Sequence, residues 1–325
     1  MRQISDDDIV DLGCGDAGEL WHQLADLGRS HDLANMSDEN AVELSLALVR
    51  AMPLAVIRSI RRLRRGGTAH DALLLRSVIP FTPDLEPTPA SLYTSPRHAG
   101  TRQGELALLG VMGLLGEPFT FASLYGGRIV QDVVPVRGAE DEQTSGGSKA
   151  FLEWHVEDAF SPDRCDYLGL LCLRGEETAI TRVAAAKNLQ MEERHRAVLR
   201  EDRFVIAPDI GHALDDAGPR ALTAVLSGPE LDPEICYDSV YVMPGDERDA
   251  EGRAALDCAA SAIVRAGADC TLESGDLLIV DNRRVVHART PFDPRFDGTG
   301  RWLMRAMVCS SAPRLRRRGG ARVIA

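Results

Sequence analysis

Positive charge is in short supply in this chain. Its 325 residues carry 37 Lys and Arg against 49 Asp and Glu, a formal net charge of −12. Nucleic acids and anionic membranes are bound through a basic face, so neither is an expected partner. The one basic run, Arg314 to Arg318, reads as a solvated tail. Paired cysteines are missing too. The seven (Cys14, Cys165, Cys172, Cys236, Cys258, Cys270 and Cys309) are scattered and contain no C-x-x-C pair, which speaks against a disulfide framework and a structural zinc site. No apolar run reaches the length of a membrane span; Leu106–Leu115 comes nearest and is too short. The N-terminus, Met-Arg-Gln-Ile-Ser-Asp-Asp-Asp, lacks the apolar core of a secretory signal. A reduced, cytoplasmic protein is expected, with a small molecule as its partner. Its oligomeric state is not written in the sequence.

What is present is ordinary for a globular chain: 44% hydrophobic and 26% charged residues, and length enough to bury a core. The length alone admits one large domain or two ordinary ones. The first third reads as mostly helical. A short helix is expected over Gly18–Leu27. Ser37 suits the N-cap of a helix through Val42, Leu44, Leu46, Leu48 and Val49, which Pro53 interrupts. A second helix runs to Arg65 and stops at Gly66-Gly67. Its arginines crowd the C-terminal end, where the helix dipole favours them.

Leu73–Ile79 is a strand candidate, Phe81–Arg97 a loop rich in Pro, Thr and Ser, and Gly104–Gly116 an apolar helix. Phe119–Leu124 and Arg128–Val136 read as strands across a Tyr125-Gly126-Gly127 turn. Gly138–Gly147 is acidic and polar, a loop suited to close over a site. Strands then dominate: Phe151–Glu157, Tyr167–Arg174, Ala179–Val183, Ile235–Met243, Leu277–Asp281 and Arg301–Cys309. Met191–Arg200 and Asp249–Ala266 read as helices. Many strands with few intervening helices predict an α+β chain with a mainly β core, a barrel or jelly roll flanked by N-terminal and inserted helices.

The chemistry concentrates in an H-x-E triplet, His155-Val156-Glu157. In a strand, residues i and i+2 share a face, so an imidazole and a carboxylate stand side by side. Alone, such a pair is commonplace. Its distant complement is His287, after the apolar stretches Leu277-Leu-Ile-Val280 and Val285-Val286. Two histidines and one carboxylate are the ligand set of non-haem Fe(II) oxygenases. The remaining histidines (His22, His31, His70, His98, His195 and His212) read as surface or local residues. Arg301, Leu303 and Arg305 share one strand face, Trp302, Met304 and Ala306 the other. If the first face is inward, two buried guanidiniums demand two carboxylates, from ligands or from the protein. If it is outward, they are merely solvated.

Several stretches resemble the clavaminate synthase-like Fe(II)/2-oxoglutarate oxygenases, a family with arginine 3-hydroxylases, asparagine oxygenase and free-lysine hydroxylases. They are Gly127–Val136, Phe151–Phe160, Tyr167–Arg174, Gly275–Arg289 and Pro291–Arg305, and they follow the family's order over the C-terminal two-thirds. The resemblance implies one oxygenase domain on a double-stranded β-helix: 1–118 a helical support, 119–310 the jelly-roll core, 311–325 a basic tail. It implies iron held by His155, Glu157 and His287, with 2-oxoglutarate and O2 as co-substrates. Arg301 would grip the distal carboxylate of 2-oxoglutarate with Thr181 beside it, and Arg305 the substrate carboxylate. Oxidative decarboxylation to succinate would accompany hydroxylation of an unactivated C–H. Related halogenases lack the carboxylate ligand that Glu157 supplies, so hydroxylation or desaturation is favoured. Asp238 and Asp209 match positions that meet a basic side chain in relatives, and Ser145 is grouped with them as a substrate contact. Where relatives place a Gln or Glu for the substrate α-amine, this chain has Leu124. Either Ser123, Gln131 or the second oxygen of Glu157 substitutes, or the substrate is an N-modified, peptide or carrier-tethered residue. Two rivals stand further off: a jelly-roll binding protein without chemistry, and a zinc hydrolase on the same ligands, which lacks a separate general base.

Overall fold

The computed structural model describes residues 2–80, 85–92, 97–212 and 221–324. Eight strands frame the site: β1 (Val130–Val133), β2 (Leu152–His155), β3 (Tyr167–Arg174), β4 (Thr181–Ala185), β5 (Ala268–Cys270), β6 (Leu277–Asp281), β7 (Val285–Arg289) and β8 (Trp302–Cys309). One sheet has the order β1-β8-β3-β6 and the other β5-β4-β7-β2, with every one of these pairings antiparallel. The chain changes sheet at each step except from β4 to β5. That one interval holds the helices Glu193–Leu199 and Ala250–Ala266.

The first sheet is widened by Glu117–Phe121 on β8 and by Ala72–Arg76 on β6, which in turn pairs with Ile9–Asp11. The helical first third therefore also supplies strands. Its helices are Gly13–Ser30, Asp38–Ser45, Leu54–Leu63 and Ala99–Met112. Ser37 caps the second by accepting the Asn40 N–H at 3.2 Å. The expected Gly104–Gly116 helix begins and ends earlier, at Ala99 and Met112, and is buried along nearly its whole length. It lies on the outer face of the first sheet. Strands β3, β6 and β8 are covered on both faces, which is why they read as continuous apolar runs rather than alternating ones. Each fully buried leucine here contributes roughly 1.5–3 kcal/mol. Gly169 permits the close approach: a Cβ there would lie 2.6 Å from Met112 Sδ and 3.1 Å from Leu108 Cδ1.

Four expectations are corrected. The segments flanking Tyr125-Gly126-Gly127 form strands but not a hairpin. Glu117–Phe121 and β1 both pair with β8, in tandem, through Phe119↔Met307 and Val133↔Leu303. Three successive positive φ angles, 45°, 72° and 73°, redirect the chain along β8 instead of folding it back. Ile235–Met243 is not one strand. It breaks at Asp238, whose carboxylate accepts the N–H groups of Val240 (2.9 Å) and Tyr241 (3.1 Å), a turn that competes with the ladder. The basic C-terminus is no solvated tail. Ala312–Arg317 is a helix, Arg314 and Arg318 pair with Asp166 and Asp163, Arg322 reaches Glu39, Glu43 and Glu117, and Val323–Ile324 adds a parallel strand beside Glu117–Phe121. Of the loop expected over Phe81–Arg97, residues 81–84 and 93–96 lie outside the described residues. His212, fourth, is buried inside the site, as follows.

Candidate active site

The register of β2 against β7 sets His287 opposite His155, so both rings leave the sheet on the same side, with centroids 4.3 Å apart. Glu157 lies two residues beyond His155, just past the strand end. Asn282 anchors it there: its Oδ1 accepts the Glu157 N–H at 2.8 Å, and its amide donates to the carbonyls of Glu157 (3.1 Å) and Cys165 (3.2 Å). Glu157 Oε1 is 3.4 Å from His287 Nε2 and 4.0 Å from His155 Nε2. One ligand atom from each residue falls within 4.8 Å of the other two. His155 Nδ1 must donate to the Glu153 carbonyl (2.7 Å), which leaves its Nε2 lone pair open toward the cluster. Burial pushes the Glu157 carboxyl up, but the Arg305 charge and the neighbouring histidines outweigh it and hold it well below the usual range. Burial, helped by His155, lowers His287 and keeps it a neutral donor. The cluster thus offers two imidazoles and one carboxylate.

Arg301, Leu303 and Arg305 line the same cavity and are buried, which settles the open question of the β8 face. The two arginines differ in kind. Arg305 is paired: Nη1 donates to Glu157 Oε2 at 2.8 Å, Nε to Gln131 Oε1 at 2.9 Å, and the guanidinium sits 5.6 Å from the Tyr125 ring centre. Arg301 has no hydrogen bond or ion pair from its guanidinium among the described residues; it faces only the Phe292 ring at 5.6 Å. Burial lowers it to about 10. Arg289, also on the cavity wall, is lowered to about 10 by burial and then by the Arg301 charge; its Nη1 donates to the Ser148 carbonyl at 2.9 Å. Thr181, opposite Arg289 in the β4–β7 register, brings a hydroxyl to this end. Adjacent buried cations that form no ion pair among the described residues make an anion site.

The cavity encloses about 1010 Å³ of atom-free space, its open mouth included. Away from Arg301 its wall includes Leu124, Tyr125, Ser145, Asp209 and Asp238. Burial raises the Asp238 carboxyl. Tyr125 and Ser145 are hydrogen-bonded through their hydroxyls. Gln131 is not on this wall. It lies behind Arg305, with its oxygen on the guanidinium and its nitrogen donating to Thr120 Oγ1 at 2.9 Å. Ser123 is also engaged, at 2.9 Å from His212 Nδ1.

His212 is the residue whose surface reading fails. Its Nε2 meets Asp158 Oδ1 at 2.8 Å, and its ring packs edge-on against Phe121 and Phe160. Asp158, at φ 53° directly after Glu157, lines the cavity. Its partner is 54 residues away, and nothing local in Gly211-His212-Ala213 announces it. Asn282 and Arg289 were also without an assigned role, although both fall in the quoted Gly275–Arg289 stretch. Glu153 was missed despite an available signal, the i, i+2 spacing to His155.

A His–Glu–His cluster beside an unpaired guanidinium fits an octahedral metal and a co-substrate that carries a carboxylate, the pattern of a 2-oxoglutarate-dependent oxygenase. The comparisons with known proteins agree. Residues 98–307 match the family described as taurine catabolism dioxygenase TauD, TfdA family. The chain belongs to this family, and it is an iron- and 2-oxoglutarate-dependent dioxygenase. It is 34% identical to the enduracididine beta-hydroxylase of Streptomyces hygroscopicus over 79% of this chain and 82% of that one. It is 35% identical to the L-asparagine oxygenase of Streptomyces coelicolor over 94% and 91%. Among solved structures, asparagine oxygenase with Fe(II), 2S,3S-3-hydroxyasparagine and succinate is similar at a TM-score of 0.86, 31% identity and coverage of 98% and 99%. The non-heme iron oxygenase OrfP with Fe and alpha-ketoglutaric acid is similar at 0.86, 30% identity and coverage of 98% and 100%.

Proposed function

We propose that this protein hydroxylates an unactivated C–H of a free amino acid with a basic side chain, on a double-stranded β-helix formed by the eight strands above, the whole chain acting as one oxygenase unit. The observation that carries the reading is the buried Arg301 guanidinium, unpaired among the described residues, in one cavity with His155, Glu157 and His287. The sheet-to-sheet alternation of β1 through β8 supports the fold, and the names of the similar amino-acid hydroxylases support the substrate class.

In this reading His155, Glu157 and His287 hold iron. Bound iron supplies the oxidising chemistry, in which O2 and 2-oxoglutarate give succinate and CO2 and one oxygen atom ends on the substrate carbon. Arg301 receives the distal carboxylate of 2-oxoglutarate in a fork, with the Thr181 hydroxyl beside it. Arg305 uses its remaining N–H groups for the substrate carboxylate, and its contact with Glu157 ties that carboxylate's position to the metal ligand. Asp238 and Asp209 receive the cationic end, so the side-chain carbons between the two anchors are held near the cluster. Leu124, Tyr125 and Ser145 close the wall and exclude water.

A second reading, in which the α-nitrogen is acylated or the residue is tethered, has one observation in its favour. Leu124 cannot accept a hydrogen bond, and Ser123, Gln131 and the second oxygen of Glu157 are already engaged. The test is succinate formation by iron-loaded protein across free amino acids and their Nα-acetyl derivatives, with mass spectrometry for the +16 product. Turnover stimulated by free arginine or lysine supports the first reading. Stimulation only by the acetylated forms moves the assignment to the second, and stimulation by neither basic form sinks both.

A further inference from the structure

We propose that Glu153 is a third carboxylate of the substrate pocket and that it makes the pocket prefer a guanidinium-type side chain to a simple ammonium. This rests on the reading of the site as that of a basic amino-acid hydroxylase.

Glu153 stands two residues before His155 on β2, on the same strand face, and it lines the cavity. Trp154 points the other way and packs under the Arg182 guanidinium. The backbone of Glu153 is fixed at both ends: its N–H donates to Gln143 Oε1 at 3.0 Å and its carbonyl accepts from His155 Nδ1 at 2.7 Å. Its side chain has no hydrogen bond or ion pair among the described residues. An antiparallel bridge joins His155 to Asp238, flanked by the bonds Val156 N–H to Tyr237 O and Ser239 N–H to Trp154 O. The bridge sets Asp238 beside His155, with Glu153 two residues back on the same face of β2 and Val240 in the turn that follows Asp238. All four residues line the cavity.

The free acceptors on Asp238, Asp209 and Glu153 favour one kind of ligand. Asp238 Oδ1 is taken by Val240 and Tyr241, and Asp209 Oδ1 by the Gly211 N–H at 2.8 Å. One oxygen on each aspartate and both on Glu153 make no hydrogen bond among the described residues, which is four acceptors. An ammonium has three N–H donors, whereas a guanidinium has five in one plane and reaches carboxylates in forks. Tyr241 on the same wall adds a ring of the kind that guanidinium stacks upon. The cavity's arginines, Arg289, Arg301 and Arg305, make no ion pair with these three carboxylates among the described residues.

The test is binding of L-arginine and L-lysine to anaerobic protein loaded with Fe(II) and 2-oxoglutarate, by calorimetry, for wild type, Glu153→Gln and Glu153→Asp. Wild type should favour arginine. Glu153→Gln should weaken arginine about tenfold or more and lysine less than about threefold, and Glu153→Asp should recover part of the preference. Unaltered affinity of the variants for 2-oxoglutarate verifies that they are folded. An arginine-to-lysine ratio unchanged by Glu153→Gln, or a wild type that prefers lysine, overturns the role of Glu153 while the basic-substrate reading stands. A wild type that binds neither amino acid overturns both.

Discussion

Arg301 and Arg305 stand four residues apart on the same face of the same chain segment, yet their removal should have opposite consequences. Arg305 neutralises Glu157, whose side chain is almost enclosed, and also binds Gln131. Breaking a buried pair by removing one partner costs about 3–5 kcal/mol, because the other charge is left uncompensated. Arg305→Gln should therefore destabilise the metal-free protein by about that amount, and added iron should restore part of the loss by returning a cation to Glu157. Arg301 has no ion-pair partner to abandon among the described residues. Its replacement removes a desolvated cation, so Arg301→Gln should leave metal-free stability equal to wild type or slightly higher. It should instead weaken 2-oxoglutarate. Charge-assisted hydrogen bonds contribute about 1.5–3 kcal/mol each. Two are lost while Thr181 and Arg289 remain, so a net loss of about 3 kcal/mol, roughly a hundredfold in Kd, is reasonable. Urea unfolding of both metal-free variants and anaerobic titration with 2-oxoglutarate provide the two readings. Equal destabilisation by the two substitutions, or an Arg301→Gln variant that binds 2-oxoglutarate normally, would refute the partition.

Asn282→Ala should weaken iron binding about 10- to 100-fold with little effect on 2-oxoglutarate affinity, since Asn282 holds the backbone of Glu157 and does not line the cavity; metal titration against a chelator measures it, and an unchanged affinity would deny the anchoring role. Asp281 is pushed up to about 6 by burial, against the opposing Arg284 charge. A raised folded pKa means that the folded state holds the proton more tightly, so this group's stabilisation is complete below about pH 4 and is lost as pH rises through about 6. Asp281→Asn should hence gain on wild type across that window, by up to about 3 kcal/mol at neutral pH; a stability difference that does not vary with pH disproves the assignment. Gln143, Thr144 and Ser145 carry the 138–147 segment onto the cavity wall. Substrate together with iron and 2-oxoglutarate should protect that segment from protease, and unaltered cleavage would count against a closing role.

The parts of the fold that were legible in the sequence are those whose signal is local. Tyr167–Arg174 and Leu277–Asp281 coincide with the observed strands because their apolar runs are bounded by charged or turn residues. Ser37 starts a helix by chemistry that acts within a turn, although that helix ends at Ser45 and the chain continues as a 3-10 helix over Leu46–Ala51 before Pro53. The errors arose where pairing decides. A Tyr-Gly-Gly turn between two apolar segments is a hairpin by local rules, but the free edge of β8 captures both segments instead. The C-terminal arginines looked solvated because their acidic partners lie some 150 to 280 residues earlier in the chain.

The site divides along the same line. His155 and Glu157 are one strand turn apart and announce themselves, and the alternation Arg301-Leu303-Arg305 fixes a face once one member is known to be inward. What sequence spacing could not reveal is which of two like residues is already satisfied. Both arginines face the cavity, but among the described residues only Arg305 has a carboxylate partner, and that difference separates a group that supports Glu157 from one that awaits a ligand's charge. The same distinction applies among the carboxylates. Asp209 and Asp238 each spend one oxygen on shaping their own loops, while Glu153, held through its backbone, spends none among the described residues. A pocket's selectivity is set by the groups left without an internal partner, and those emerge only when the hydrogen bonds of the folded chain are counted.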